Sequence, residues 1–314
     1  MKNKNSILII GGTGFIGYHL AKNFLKKKWK VTSLSNHKPK KTRFLKKAKY
    51  IVCDISKKKS LQNKVKQEFN YVINSGGYVD HSNKKKTYLS HYIGVKNLSN
   101  LFKKKKLKLF IQLGSGGENG KLKSPHAECL KKLKLKNYYK AKLLATNYLL
   151  KFYKKFKFPV VILRLYQVYG PQQDINRIIP ITIFSCLKNK KFKCTAGDQK
   201  RDFIHVDDVV EAINKTIKAK NITGNIFNIG FGRAMKLKNI ILKINNLIGA
   251  GRPLFGAIKL KEGEQMEVYP SIQKAKKLIG WRPKISLLKG IKKTIKYYKK
   301  PIKLASYRKI KHNL

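Results

Sequence analysis

Short apolar runs alternate with longer amphipathic stretches through the first half of the chain. Residues 7–10, 30–34, 50–53, 71–74, 109–113 and 160–165 read as strands, and 15–27, 60–69, 90–104 and 138–155 fill the gaps as helices. Strand–helix alternation at this spacing builds βαβ units and a parallel, doubly wound sheet, an α/β fold. Beyond Leu165 the pattern loosens, and Pro171, Pro180, Pro253, Pro270 and Pro283 punctuate shorter elements. A smaller second domain built from the C-terminal part is expected there, with a basic tail at 301–314.

Composition adds scale and one oddity. The 314 residues allow about two domains, and 42% hydrophobic content supports a large core. The formal net charge is +59, which at first suggests a nucleic acid or an anionic surface as partner. Yet the chain has eight arginines against 65 lysines, spread along its whole length, whereas phosphate-gripping proteins use the planar Arg fork. Lys, Asn, Ile, Phe and Tyr all have A/T-rich codons, so a biased genome accounts for them together. The rare residues then carry the information. No acid appears in residues 1–53, and eight of the 14 acids lie in two stretches, Asp198–Glu211 and Glu262–Glu267.

Several classes are excluded. No apolar stretch reaches 18 residues, so no membrane span is expected. The run at 7–10 is too short for a signal-peptide core. Cys53, Cys129, Cys186 and Cys194 are scattered without metal-ligand spacing and read as reduced thiols of a cytoplasmic protein. The seven histidines form no zinc motif, so no metal is expected.

The first strand runs into Gly11-Gly-Thr13-Gly14-Phe15-Ile16-Gly17 and then a helix. Gly11 permits a tight turn, Gly14 lets the backbone approach a pyrophosphate, and Gly17 lets the helix pack closely on the sheet. Strand, turn and helix at the first βαβ unit point to dinucleotide binding, with Thr13, Phe15 and Ile16 completing the cradle. An acid at the end of the second strand normally binds the adenosine ribose and repels a 2′-phosphate. Here Ser35 and Asn36 stand there instead, with Lys38 and Arg43 near, so NAD(P) is expected with NADP favoured over NAD. Asp54 is placed to accept from the adenine amino group, beside Ile55; the plainer reading is a helix cap.

Tyr138 and Lys142 are spaced i, i+4, which puts phenol and ammonium on one helix face. A nearby cation pulls a phenol's pKa down from about 10, so that it can take a proton from a sugar hydroxyl as hydride leaves the carbon. The bare motif is unspecific: Tyr18/Lys22, Tyr92/Lys96, Tyr153/Lys157 and Tyr307/Lys311 match it too. Position selects Tyr138, which opens a helix shortly after the fifth strand. That strand ends in Gly114-Ser115-Gly116-Gly117, where ligands bind in such sheets. Ser115 is thereby the candidate to bridge a substrate oxygen and the phenol.

With these residues in place, the chain resembles the extended short-chain dehydrogenase/reductases of the nucleotide-sugar epimerase/dehydratase group, over about residues 6–298. The further marks are Asn74-Ser-Gly-Gly77, Gly94-x-x-Asn97, Arg164-x-x-Gln167-Val-Tyr-Gly-Pro171, Arg201-Asp-Phe-Ile-His-Val-Asp-Asp208, Gly263-Glu264 and Leu278-Ile-Gly-Trp281-Arg-Pro283. The resemblance implies a Rossmann domain at 1–166 plus about 202–228. A nucleotide-sugar-binding domain would then take 167–201 and 229–300. It implies a nucleoside-diphosphate sugar as partner, no specific nucleic acid, and a homodimer through helices near 84–104 and 138–155. It also implies Arg201 on the substrate diphosphate, Gln167 where the family usually has a substrate-binding Asn, and Lys261 where many members carry a second Arg. The plainer reading of Arg201-Asp202 is a structural salt bridge.

Absences narrow the chemistry. Members that dehydrate the sugar at C4–C6 carry an Asp-Glu pair directly after the serine; here Gly116 and Gly117 follow Ser115, and glycines neither protonate a leaving hydroxyl nor take a carbon-bound proton. Members that invert C3 and C5 use a Cys at the Gly117 position. What remains is 4-epimerisation through a transient ketone, or reduction of a 4-ketosugar with NADPH. A non-catalytic Rossmann protein binding RNA or another polyanion is the distant alternative. The family's Val-Tyr-Gly reads Glu118-Asn119-Gly120 here, and Glu118 is expected to face either substrate or solvent.

Overall fold

The computed structural model describes residues 5–78, 83–130 and 135–299. Six parallel strands follow the expected runs within two residues: β1 Ser6–Ile10, β2 Lys30–Ser35, β3 Lys49–Val52, β4 Tyr71–Asn74, β5 Leu109–Ser115 and β6 Val160–Leu165. A seventh, Ile226–Ile229, adds to the edge beyond β6. It lies where the sequence pattern loosens, and its apolar run is interrupted by Asn228, whose amide donates to the His126 carbonyl at 2.8 Å. From that edge the order runs β6, β5, β4, β1, β2, β3. The order reverses between β4 and β1, and there the strand ends open the crevice in which such sheets bind ligands.

Strand residues alternate between two buried faces. Ile7 and Ile9 pack with Leu20, Phe24 and Val209 on one side. Leu8 and Ile10 pack with Leu98, Phe102, Leu149 and Phe152 on the other. Burial of both faces explains why the strands read as continuous apolar runs and not as alternating ones. A third cluster sits apart from both faces. It joins Ile179 and Ile183 of helix Ile178–Leu187, Ile240 and Ile244 of helix Leu237–Ile248, and Ile291 and Tyr298 of helix Leu287–Tyr298.

Two helices differ from expectation. The stretch at 60–69 is helical only over Lys58–Lys64. The stretch at 90–104 begins as a π-helical turn, Leu89–Ile93, before Gly94–Phe102. Two sequence motifs meet around Asp208. Its carboxylate accepts the N–H groups of Lys284 and Ile285 at 3.0 Å each, and its carbonyl accepts the Trp281 indole N–H at 3.1 Å. Among the described residues no helix is long and apolar enough to cross a membrane.

Helix Phe15–Lys26 leaves the glycine turn at very close range. A side chain at Gly17 would run into the Gly11 carbonyl and come within 2.6 Å of the Gly12 Cα. These are backbone atoms and cannot swing aside. Gly17→Ala is therefore expected to cost about 1–3 kcal/mol of stability, read as a lowered denaturation midpoint in urea.

Candidate active site

The glycine turn is shaped by three contacts. Gly11 sits at φ +74°, and any side chain there would lie 2.6 Å from the Gly76 Cα at the end of β4. The Thr13 N–H donates to the Ser35 hydroxyl at 3.3 Å. Ser35 is thus buried beneath the turn, and its neighbour Asn36 is exposed at the outer end of β2. Gly14 caps the helix through Phe15 and Ile16 with no side-chain hydrogen bond. A methyl there would meet only the Gly11 carbonyl, at 3.1 Å. That leaves the first-turn N–H groups for an anion, so the turn fits a dinucleotide pyrophosphate.

Arg43 does not reach outward as the sequence suggested. It is buried, donating to the carbonyls of Thr13 at 3.4 Å and Gln172 at 2.5 Å and to Asp174 at 2.9 Å. Its guanidinium therefore ties the turn to the segment after Pro171. Asp54 accepts from the Ser56 N–H at 2.9 Å and hydroxyl at 2.8 Å. It folds its own loop and does not cap the helix, which begins at Lys58. Ile55 packs in the core against Gly94, and the Asn97 amide donates to the carbonyls of Ile55 and Ser56 at 2.9 Å each.

Tyr138 and Lys142 lie on the helix Asn137–Phe156, one turn apart, with the ammonium 6.0 Å from the phenol ring centroid. Lys142 is buried and donates to the Leu113 carbonyl at 2.7 Å, on the strand that ends in Ser115. Lys142 thereby ties the helix, with Tyr138 one turn before it, to the C-terminal end of β5. Burial holds the Lys142 pKa down to about 8, against a smaller upward pull from Glu118. Burial also raises the Tyr138 phenol well above its usual range, with Tyr139 and Glu118 adding to the rise and Arg177 opposing it. The phenol is therefore raised, not lowered as its spacing from Lys142 suggested.

Ser115 is the N-cap of a short 3-10 turn, Gly116–Asn119, and its hydroxyl accepts the Gly117 N–H at 3.2 Å. Glu118 faces neither substrate nor solvent. It is buried, and one carboxylate oxygen accepts the Ser115 N–H at 2.7 Å. The other accepts the Thr146 hydroxyl at 2.8 Å and Arg164 Nε at 3.0 Å. A side chain at Gly116 would sit 2.7 Å from the Tyr166 ring, and one at Gly117 would strike Tyr139.

His91 was not expected here. The π-helical turn brings it edge-on to Tyr138 at 5.0 Å, with Nε2 2.9 Å from the Tyr78 carbonyl, and Gly77 at φ +145° makes room for its ring. The only sign of it in the sequence is the Gly-Gly pair after β4. Of the other Tyr-x-x-x-Lys pairs, Tyr92/Lys96 forms a cation–π contact at 5.5 Å, and Tyr307/Lys311 lies outside the described residues.

The expected substrate residues gather on the C-terminal elements. Arg201 donates to Glu264 at 2.6 Å and to the Lys200 carbonyl at 2.9 Å. The Glu264 N–H is held 3.1 Å from the Lys261 carbonyl. Arg201 and Lys261 thus serve one turn, and Lys261 is exposed. Gln167, also exposed, pairs with Phe203, two residues from Arg201. Asp202 makes no pair with Arg201. Its carboxylate is buried against the N–H groups of Phe231, Gly232 and Arg233, and burial raises its pKa to about 6.

The sequence profile of the NAD dependent epimerase/dehydratase family matches residues 7–230. The chain belongs to this family. It is 29% identical over 308 residues to the "Putative UDP-glucose 4-epimerase" of Methanocaldococcus jannaschii, covering 93% of this chain and 98% of that one. A dTDP-D-glucose 4,6-dehydratase of Dictyostelium discoideum is 32% identical over 288 residues, 79% of this chain and 64% of its own length. Among solved structures, UDP-glucuronic acid 4-epimerase from Bacillus cereus, in complex with UDP-glucuronic acid and NAD, superposes with a TM-score of 0.83. It is 25% identical and covers 93% of this chain and 98% of that one. The protein is thus an enzyme of the nucleotide-sugar epimerase/dehydratase group with a Rossmann-like fold.

The Lys142 environment gives a pH signature. Below about pH 8 the folded chain carries a desolvated ammonium. Between about 8 and the ordinary 10.5 the folded lysine sheds its proton while the unfolded chain keeps one, so stability rises with pH. The stability of the wild type relative to Lys142→Met is expected to increase by about 2 kcal/mol between pH 8 and 10, measured by urea denaturation.

Proposed function

We propose that this enzyme is a nicotinamide-dependent nucleotide-sugar 4-epimerase. The observation that carries this reading is the absence of any carboxylate from the two places after Ser115, where the Tyr166 and Tyr139 rings leave room only for Gly116 and Gly117. A 4,6-dehydration needs an acid and a base there; 4-epimerisation needs only a phenol, a cation and a hydroxyl. The full-length similarity to a protein named as a UDP-glucose 4-epimerase agrees with it.

Each residue then has a role. Gly11, Thr13, Gly14, Phe15, Ile16 and Gly17 hold the dinucleotide pyrophosphate at the helix N-terminus. Asn36 stands at the ribose end, over the Ser35 hydroxyl that fixes the turn. Asp54 and Ile55 line the adenine end. The dinucleotide that these residues would hold would supply the hydride acceptor and donor for the sugar carbon. Tyr138 takes the proton of the 4-hydroxyl and gives it back to the ketone oxygen after the sugar has turned over. Lys142 supplies the positive charge that favours the phenolate, and Ser115 orients the sugar oxygen. Arg201, Lys261 and Gln167 bind the nucleoside diphosphate, Arg201 being held in place by Glu264.

A second reading, reduction of a 4-ketosugar with NADPH, is favoured by the missing acid at the end of β2. Incubation with NAD or NADPH and 4-hydroxy or 4-keto nucleotide sugars separates the two. Epimerase activity interconverts two 4-hydroxy sugars with no net nicotinamide change, whereas reductase activity consumes NADPH in step with the ketone. Tyr138→Phe is expected to lower kcat at least about 100-fold in either case. Full activity in that variant would overturn the assignment of the acid/base. Salt-steep nucleic-acid binding indifferent to Tyr138 would point instead to the polyanion reading.

A further inference from the structure

Glu118 is a buried acid that the proposed chemistry does not use. It has 1% exposure, Arg164 opposite it has none, and the salt bridge between them measures 3.0 Å. Four elements meet on this one carboxylate. β5 and the 3-10 turn meet through the Ser115 N–H, the helix Asn137–Phe156 through Thr146, and β6 through Arg164 Nε. Thr146 is one helical turn beyond Lys142 and two beyond Tyr138, so its bond sets the helix against the serine in depth and rotation. The site is built around this group. Any side chain at Gly114 would lie 2.6 Å from the Glu118 carboxylate. Asn119 extends the pairing: it accepts from Arg164 at 3.2 Å and donates to the Tyr166 hydroxyl at 3.2 Å, the ring that floors Gly116.

We infer that Glu118, clamped by Arg164, is a positioning residue that locks the Ser115 backbone and the Tyr138/Lys142 helix into one register. This rests on the reading of Ser115, Tyr138 and Lys142 as the reacting groups. Glu118 touches no reacting atom; it acts through the Ser115 amide and through Thr146. A valine at this position would bury well but would pin neither the serine nor the helix. The titratable and charged groups around Tyr138 and Lys142 are Tyr139 on their own helix, Glu118 on the 3-10 turn, Arg177, and His91 on the π-helical turn, edge-on to Tyr138 at 5.0 Å.

The test uses the full chain with its nucleotide-sugar substrate. Glu118→Gln keeps the shape but has a single acceptor oxygen, so it cannot accept from the Ser115 N–H on one side and from Thr146 and Arg164 on the other. Its kcat is expected to fall about 30-fold or more with KM within about threefold, because orientation is lost while ground-state binding is kept. Both limbs of the pH profile of kcat should move to lower pH, because the negative charge holds both Tyr138 and Lys142 upward. Thr146→Val removes only the link to the helix and should lower kcat about threefold to tenfold without loss of folding. Should Glu118→Gln fail to fold, Glu118→Gln with Arg164→Met removes both charges together and takes its place. Hydrogen exchange of the segment 113–120 supplies a readout apart from turnover, and faster exchange in Glu118→Gln is expected. Unchanged kcat and pH profile in folded Glu118 and Thr146 variants would overturn the inference, as would unchanged exchange at 113–120. Failure of the wild type to turn over any nucleotide sugar would overturn the functional reading instead, and exchange would still decide the role of Glu118.

Discussion

A guanidinium without exposed surface extends from β6, and a carboxylate from the turn after β5 lies against it. Breaking such a pair by removing one partner typically costs about 3–5 kcal/mol, since the other charge is left desolvated. The geometry around it follows from that constraint. The carboxylate must stay on Arg164, so the 3-10 turn that bears it has one position, and Ser115, whose N–H it accepts, has one orientation. Thr146 binds the same oxygen as Arg164, so the helix bearing Tyr138 and Lys142 is held to the same reference point. In a chain with 65 lysines, a single acid sunk in the core organises the reacting end.

The glycines then act as negative images of their neighbours. Gly114 makes room for Glu118, Gly116 for Tyr166, Gly117 for Tyr139 and Gly77 for His91. The space where dehydrating relatives would carry carboxylates is filled by aromatic rings. The turn that follows Ser115 is thus walled by aromatic rings and a buried ion pair, surroundings in which a hydrogen bond or charge acts more strongly than in water.

Much of this was legible in the sequence because it depends on local order. The six expected strands, the glycine turn and the Tyr138/Lys142 pair arise from runs or fixed spacings within one element. Glu118 was not legible, because its partner Arg164 lies 46 residues away and no periodicity links them. Arg43 misled for a related reason. Its place after β2 suggested a phosphate, but Gln172 and Asp174, about 130 residues further on, turn it inward. His91 needed a π-helical turn, whose residues read as ordinary helix. The strands Gln167–Tyr169 and Phe203–His205 are three residues each, too short for any alternation to register. The excess of lysine, the most conspicuous feature of the composition, positioned almost none of these groups; the scarce acids and arginines did.

One burial has opposite consequences for Tyr138 and Lys142. It pushes the Tyr138 phenol up and the Lys142 ammonium down, toward about 8, because each loses solvation of its charged form. At neutral pH the protein alone therefore holds a protonated phenol beside a charged lysine, a pair with little basicity. A further positive charge brought against the end of β5 shifts both groups toward losing a proton, which is the direction base catalysis requires of the phenol. Glu118 pulls both the other way and limits that response. The acidity of the pair is thus set by what docks against β5 as much as by the fold.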